Sequence, residues 1–190
     1  MALLARKPLA AFGLCLLAAG VFAVSRPALA EPMSEYQVKA AFLYNFAKFV
    51  KWPESALPES STSFTVCVLG DHGSAPAIEE TIGDKTLRDK RIIVKRVASA
   101  EAARSCQILF ASGSDGSDPA KIAGALAGAS VLTVGEVEHF AERGGIVNFK
   151  TEDNKVRFEI NSDGAKRANL DVSSQLLKLA IIVRDAGSRN

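Results

Sequence analysis

Phe64-Thr65-Val66-Cys67-Val68-Leu69-Gly70-Asp71 is a short apolar run that stops on a turn-forming pair. A strand with one wet face alternates apolar and polar residues, whereas a strand covered on both faces reads as a nearly continuous apolar run. This run is of the second kind and belongs in the interior of a sheet. The pattern returns downstream at residues 91–97, 106–110 and 131–134. Helical stretches are expected between these strands at 76–82, at 99–104 behind a Ser99 cap, and at 119–126 behind Pro119, with a brief helix at 137–142. Strands alternating with helices argue for a mainly parallel sheet covered on both faces.

After Gly144-Gly145 the pattern changes. Residues 146–150 and 155–161 are apolar-polar runs separated by Thr151-Glu152-Asp153-Asn154, the spacing of an antiparallel hairpin at one edge of the sheet. In the second run Phe158 and Ile160 are expected to face inward and Arg157, Glu159 and Asn161 outward, a polar row at an exposed sheet edge suited to docking another protein. A short helix is expected at 163–168 and a terminal one at 173–185. Upstream, residues 34–51 read as a helix capped by Ser34 and ended by Pro53, with Val38, Ala41, Phe42, Phe46, Phe49 and Val50 on its apolar face. Tyr44, Asn45 and Trp52 lie partly off that stripe and offer a surface for a partner. The fold class is therefore α/β: one domain, a mainly parallel sheet with helices on both faces and a C-terminal antiparallel hairpin at one edge.

The first thirty residues stand apart. Arg6 and Lys7 precede an uncharged apolar run at 9–24, then Arg26, Pro27 and Ala28-Leu29-Ala30, the pattern of a cleaved secretory signal peptide. The run of about sixteen residues is shorter than the roughly twenty a spanning helix needs, so the protein is not expected to span the membrane itself. Cleavage after Ala30 leaves a periplasmic domain of residues 31–190. The leader takes three of the 23 basic residues and none of the 21 acidic ones, so the mature net charge is −1. That balance leaves no electrostatic footprint for nucleic acid.

Cys15 leaves with the leader, and Cys67 and Cys106 remain. An even pair in an oxidising compartment favours a disulfide over two buried thiols. In a sheet of order 2-1-3 the strands carrying them are neighbours, which makes the bridge feasible within the usual Cα separation of about 4.4–6.8 Å.

Several chemistries are argued against. Asp71, His72 and Ser74 crowd one loop without a G-x-S-x-G elbow, which is a poor basis for a triad. His72 and His139 stand in different loops, no C-x-x-C or H-E-x-x-H occurs, and no metal or cofactor is expected. Ligands of open α/β sheets sit beyond the carboxyl ends of the strands. There Asp71, His72, Ser112 and Glu136 would line a small-molecule pocket, the alternative to a protein-docking role.

The collinear set Lys39-Ala40-Ala41-Phe42-Leu43-Tyr44-Asn45-Phe46-Ala47-Lys48-Phe49 with Trp52-Pro53, then 64–71, 106–110, 144–149, 156–161 and 174–180, resembles the YfiR-like family of periplasmic regulators over residues 36–184. The resemblance implies a non-enzymatic protein that binds the periplasmic part of an inner-membrane diguanylate cyclase and represses it, keeping cyclic-di-GMP and biofilm formation low until redox state or envelope stress relieves the block. It implies that Cys67 and Cys106 match a family disulfide and that Glu159 lies in the contact-bearing stretch. Some members carry a second cysteine pair near the Gly-Gly strand, which this sequence lacks, so redox switching through that pair does not apply. Self-association as a homodimer stays open.

Overall fold

The computed structural model describes residues 33–70, 73–113, 118–153 and 155–186. The expected leader and the loop residues Asp71 and His72 lie outside them. Helix α1 spans Glu35–Phe49 and opens on a capping box: the Gln37 amide donates to Ser34 Oγ while the Ser34 amide donates to Gln37 Oε1. It ends before the expected 51. Val50 is already extended, and β1 (Val50–Lys51) pairs antiparallel with β9 (Asp171–Val172).

The remaining strands are β2 (Ser63–Gly70), β3 (Thr86–Leu87), β4 (Lys90–Val97), β5 (Ile108–Ser112), β6 (Leu132–Gly135), β7 (Val147–Glu152), β8 (Lys155–Asn161) and β10 (Ile181–Val183). They form one sheet of order β10-β8-β7-β6-β5-β2-β4-β3. The run at 64–69 is the inner strand β2, parallel to β4 on one side and β5 on the other, which is the expected 2-1-3 arrangement. β6 and β7 continue the parallel series, and β7 and β8 form the antiparallel hairpin.

Strand alternation explains why the inner runs of β2 and β5 are almost wholly apolar, whereas β4, next to the edge, buries only Ile92. Phe64, Val66 and Val68 of β2 and Ile108 and Phe110 of β5 pack under α1 and α2 (Ser74–Ile82). The intervening Cys67, Leu69, Leu109 and Ala111 pack on the opposite face with Ile122 of α3 (Pro119–Ala125). Both faces are dry, as parallel strands require.

Five expectations need correction. The terminal helix is only α5 (Ser174–Leu177), capped by Ser173, and the chain then becomes β10, parallel to β8 with Ile182 opposite Ile160. Three consecutive β-branched residues, Ile181, Ile182 and Val183, favour the strand. That strand covers β8, so β8 is not the exposed edge; β10 and β3 are. Residues 137–142 are turns, not a helix, and the segment at 99–104 holds a single 3-10 turn, Glu101–Ala103, without a Ser99 side-chain cap. The buried face of α1 is also rotated from the expected stripe. Lys39, Ala40, Leu43, Phe46 and Ala47 are the buried residues, while Phe42 and Phe49 are half-buried.

Cys67 and Cys106 are bonded, with Cα atoms 6.0 Å apart. Both are buried in the cluster beneath α3. In the same cluster the Phe140 ring lies between two glycines. A Cβ on Gly135 would stand 2.2 Å from Phe140 Cδ2, and one on Gly145 2.2 Å from Phe140 Cδ1 and Cε1. Gly144 beside it has φ +111°, a conformation L side chains rarely adopt. The Gly144-Gly145 pair is thus a backbone reversal followed by a close approach. Gly145→Ala is expected to cost about 2 kcal/mol by overpacking, measured by urea unfolding. Phe140→Leu in the same chain should recover part of that loss, because the two positions are coupled through one clash. Strict additivity would mean the ring is not what excludes the methyl.

Candidate functional site

The carboxyl end of the sheet carries the densest polar constellation among the described residues. α1 crosses this end, so that Glu35, Tyr36 and Lys39, within five positions, hang over the strand termini. Ser112 closes β5 and Glu136 follows β6. The Glu136 carboxylate gathers them. Its Oε1 accepts from the Gly113 amide (2.8 Å), Ser112 Oγ (3.1 Å) and Tyr36 Oη (3.4 Å). Its Oε2 accepts from Lys39 Nζ at 2.5 Å, which also meets Glu35 Oε1 at 2.6 Å. Lys39 is only 5% exposed. Burial opposes its charge, but the hydrogen bonds and charges of Glu136 and Glu35 outweigh that and hold its pKa above the ordinary lysine value. The Lys39 hydrogen bond in turn holds the Glu35 carboxyl below its ordinary range.

Of the four residues expected to line a rim pocket, Ser112 and Glu136 are thus brought into contact. Ser112 is fully buried at the strand end rather than displayed in a loop. Asp71 and His72 lie outside the described residues. Ser74 is buried at the start of α2, and His139 hydrogen-bonds Glu142 at 2.6 Å on the surface.

A second polar group lies across the hairpin. Asn148 and Glu159 face each other in register on β7 and β8. Asn148 Nδ2 donates to Glu159 Oε2 at 3.0 Å, and Lys150 Nζ pairs with Glu159 Oε1 at 3.1 Å. The hydrogen bond to Glu159 raises the Lys150 pKa. Asn161 donates to the Ala141 carbonyl and to Asp185 Oδ1, and its Oδ1 accepts from the Gly164 amide to cap α4 (Ser162–Arg167). The expectation that Glu159 and Asn161 face solvent is therefore overturned: both are buried, and only Arg157 of the three is exposed. The alternation was read correctly, but the far face of β8 is covered by residues around 141 and by α4, so its polar side chains are satisfied internally.

The three aromatic-helix candidates do not form one surface. Tyr44 Oη donates to the Thr86 carbonyl at the β3 edge, and Trp52 Nε1 to the Gln107 carbonyl, its ring edge-on to Phe64 at 5.0 Å. Asn45 is exposed beside a small apolar groove of about 160 Å³ between α1, β8 and α5, lined also by Phe42, Phe158 and Leu179. This groove leads toward β10, where Leu179 (75% exposed), Ile181 (45%) and Ile182 (51%) present large apolar side chains to solvent. A sheet edge with exposed aliphatic side chains is a surface natural proteins normally blunt or cover.

Sequence reasoning missed Tyr36, Lys39, Asn148 and Lys150. For Lys39 a signal existed: it shares one helix face with Leu43 and Phe46, and a lysine on a buried face demands carboxylate partners. Among the described residues no helix is long and apolar enough to cross a membrane.

Fold and site together define a disulfide-bridged, mostly parallel α/β domain whose polar rim is tied by internal ion pairs and whose β10 edge is apolar. A family model described as YfiR/HmsC-like matches residues 36–181, most of the chain, and the protein belongs to that family, one of periplasmic regulators. The bonded cysteines accord with an oxidising compartment. A solved structure described as a conserved domain protein from Vibrio cholerae O1 biovar El Tor shares the fold. Its TM-score is 0.52 at 11% identity, over 78% of this chain and 60% of that one, so this chain spans about three fifths of that protein's length. No curated protein matches the chain.

Proposed function

We propose that this protein is a non-enzymatic periplasmic regulator that binds the periplasmic sensor part of an inner-membrane diguanylate cyclase and represses it, keeping cyclic-di-GMP and biofilm formation low. Family membership supports a regulator of diguanylate cyclases. The observation that carries a docking role is the open β10 edge with exposed Leu179, Ile181 and Ile182 beside the Phe42–Phe158 groove. A partner segment laid along β10 would satisfy its free backbone groups while burying those aliphatic side chains, the logic of strand addition. Of the residues expected to contact the partner, Asn45 lies in that groove and Arg157 is open to solvent on the neighbouring strand. Glu159 and Asn161 act from beneath, by holding the hairpin rigid, and Tyr44 and Trp52 are tied to other parts of the domain.

The test is genetic and physical. Deleting the gene should raise cyclic-di-GMP, and the wild-type gene should restore the low level. Ile182→Glu, an exposed substitution, should leave urea unfolding within about 0.5 kcal/mol of wild type yet abolish complementation and the crosslink to the cyclase. Unchanged cyclic-di-GMP on deletion would refute the regulator. Full complementation by Ile182→Glu would refute the β10 surface while leaving the regulator standing.

A further inference from the structure

Between α1, the loop after β5 and the outer half of β7 lies an open cleft of about 570 Å³, within the size range of small-molecule sites. It exists because β6 stops at Gly135 while β7 runs on to Glu152, leaving a gap at the carboxyl end of the sheet. Tyr36 and Phe149 supply apolar wall, and Glu35, Glu136 and Glu138 supply carboxylates. Two ammonium groups, Lys39 and Lys150, also line it. Both are already engaged, Lys39 by Glu35 and Glu136, and Lys150 by Glu159.

Asn148, 2% exposed, also lines this cleft, and its amide is committed in one direction. Nδ2 donates to Glu159, so Oδ1 must point away from that carboxylate, and Oδ1 is buried with no hydrogen-bond partner. A buried acceptor left without a donor costs about 1–3 kcal/mol, and such an atom in a native fold calls for a missing partner. Among the described residues it is the one buried side-chain polar atom left so. What it lacks is a donor, and the cleft around it holds more carboxylates than cations.

We infer that this cleft is a binding site for a small organic cation bearing a primary ammonium or guanidinium group, which donates to Asn148 Oδ1 and shares the carboxylate of Glu35, its carbon chain lying along Tyr36 and Phe149. An anionic ligand is disfavoured, because the carboxylates lining the cleft outnumber its ammonium groups. The site is separate from the β10 surface and its test does not depend on the regulator reading.

The full-length protein, purified after export, is titrated calorimetrically with putrescine and with agmatine, and with succinate and glycerol as anionic and neutral probes. Saturable binding of at least one amine is expected, with none of succinate or glycerol. Asn148→Ala should weaken the amine by about tenfold. Glu35→Gln, on the exposed first turn of α1 and far less disruptive, should weaken it by a similar factor and so covers the case in which the Asn148 variant fails to fold. No heat from either amine up to 10 mM on a folded sample, succinate binding in their place, or amine affinity unchanged in Glu35→Gln would each overturn the assignment.

Discussion

Glu136→Ala is expected to lower the unfolding free energy by about 3 kcal/mol, the range for removing one partner of a buried ion pair. The size follows from what is stranded. Lys39 would keep only Glu35, whose side chain is half exposed, while its own side chain is 6% exposed. The Gly113 amide and Ser112 hydroxyl would lose an acceptor at the same time. Glu136→Gln should cost less, because an amide oxygen can still accept from Gly113 and Ser112; the difference between the two variants isolates that acceptor, and the cost of Glu136→Gln itself isolates the charge. Pairing Glu136→Gln with Lys39→Met should recover stability relative to Glu136→Gln alone, since a buried ion pair replaced on both sides by neutral groups is often close to neutral. Trp52, the one tryptophan of the chain, packs edge-on to Phe64 and is the natural fluorescence probe for urea unfolding. A loss under about 1 kcal/mol for Glu136→Ala, with an unchanged m-value, would mean that Glu35 and solvent suffice for Lys39 and that α1 is not pinned by this carboxylate.

That carboxylate also marks where sequence reading stops. The inner parallel strands were legible because burial on both faces leaves few polar residues to confuse period and type: Phe64–Leu69 holds only Thr65, which is half-buried. The hairpin was legible from its turn formers. The C-terminus was not: Leu176, Leu177, Ala180 and Ile181 satisfy a helical period, and only the pairing available on the open side of β8 decides for a strand at Ile181–Val183. Tertiary pairing overrode a local pattern. Glu159 and Asn161 show the opposite failure. Their alternation was right, but a period fixes only which face a side chain is on, and the cover on that face comes from residues 141 and 164, distant in sequence. Ser112 and Glu136 were singled out from strand-end position alone, and their contact follows from the sheet order. Tyr36 and Lys39 could not be joined to them without knowing where α1 crosses the sheet. Asn148 had no local signal, because an orphaned oxygen is a property of the assembled structure.

Removing the disulfide is the larger perturbation. Cys67→Ala with Cys106→Ala should destabilise the protein by about 4 kcal/mol, the loop-closure entropy for a separation of 39 residues. The topology adds where the loss will be felt. The closed loop contains α2, β3, β4 and the 3-10 turn at Glu101–Ala103, that is, one whole edge of the sheet. In the sheet itself this excursion is held to the rest of the strands through the single ladder between β4 and β2. Once the bridge is gone, opening that edge no longer has its ends tied. Amide exchange should therefore accelerate most across residues 86–97, and least in β7 and β8, four and five strands away from β4. The β10 surface lies at the far edge, so at temperatures where the variant stays folded its complementation in the cyclic-di-GMP assay should match wild type. Relief of repression by a reductant would then track the population of unfolded protein and show a steep temperature dependence. Uniform acceleration of exchange across the sheet would mean that the bridge stabilises only the global fold. Loss of complementation in a demonstrably folded double variant would mean that the bridged edge, and not β10, meets the cyclase.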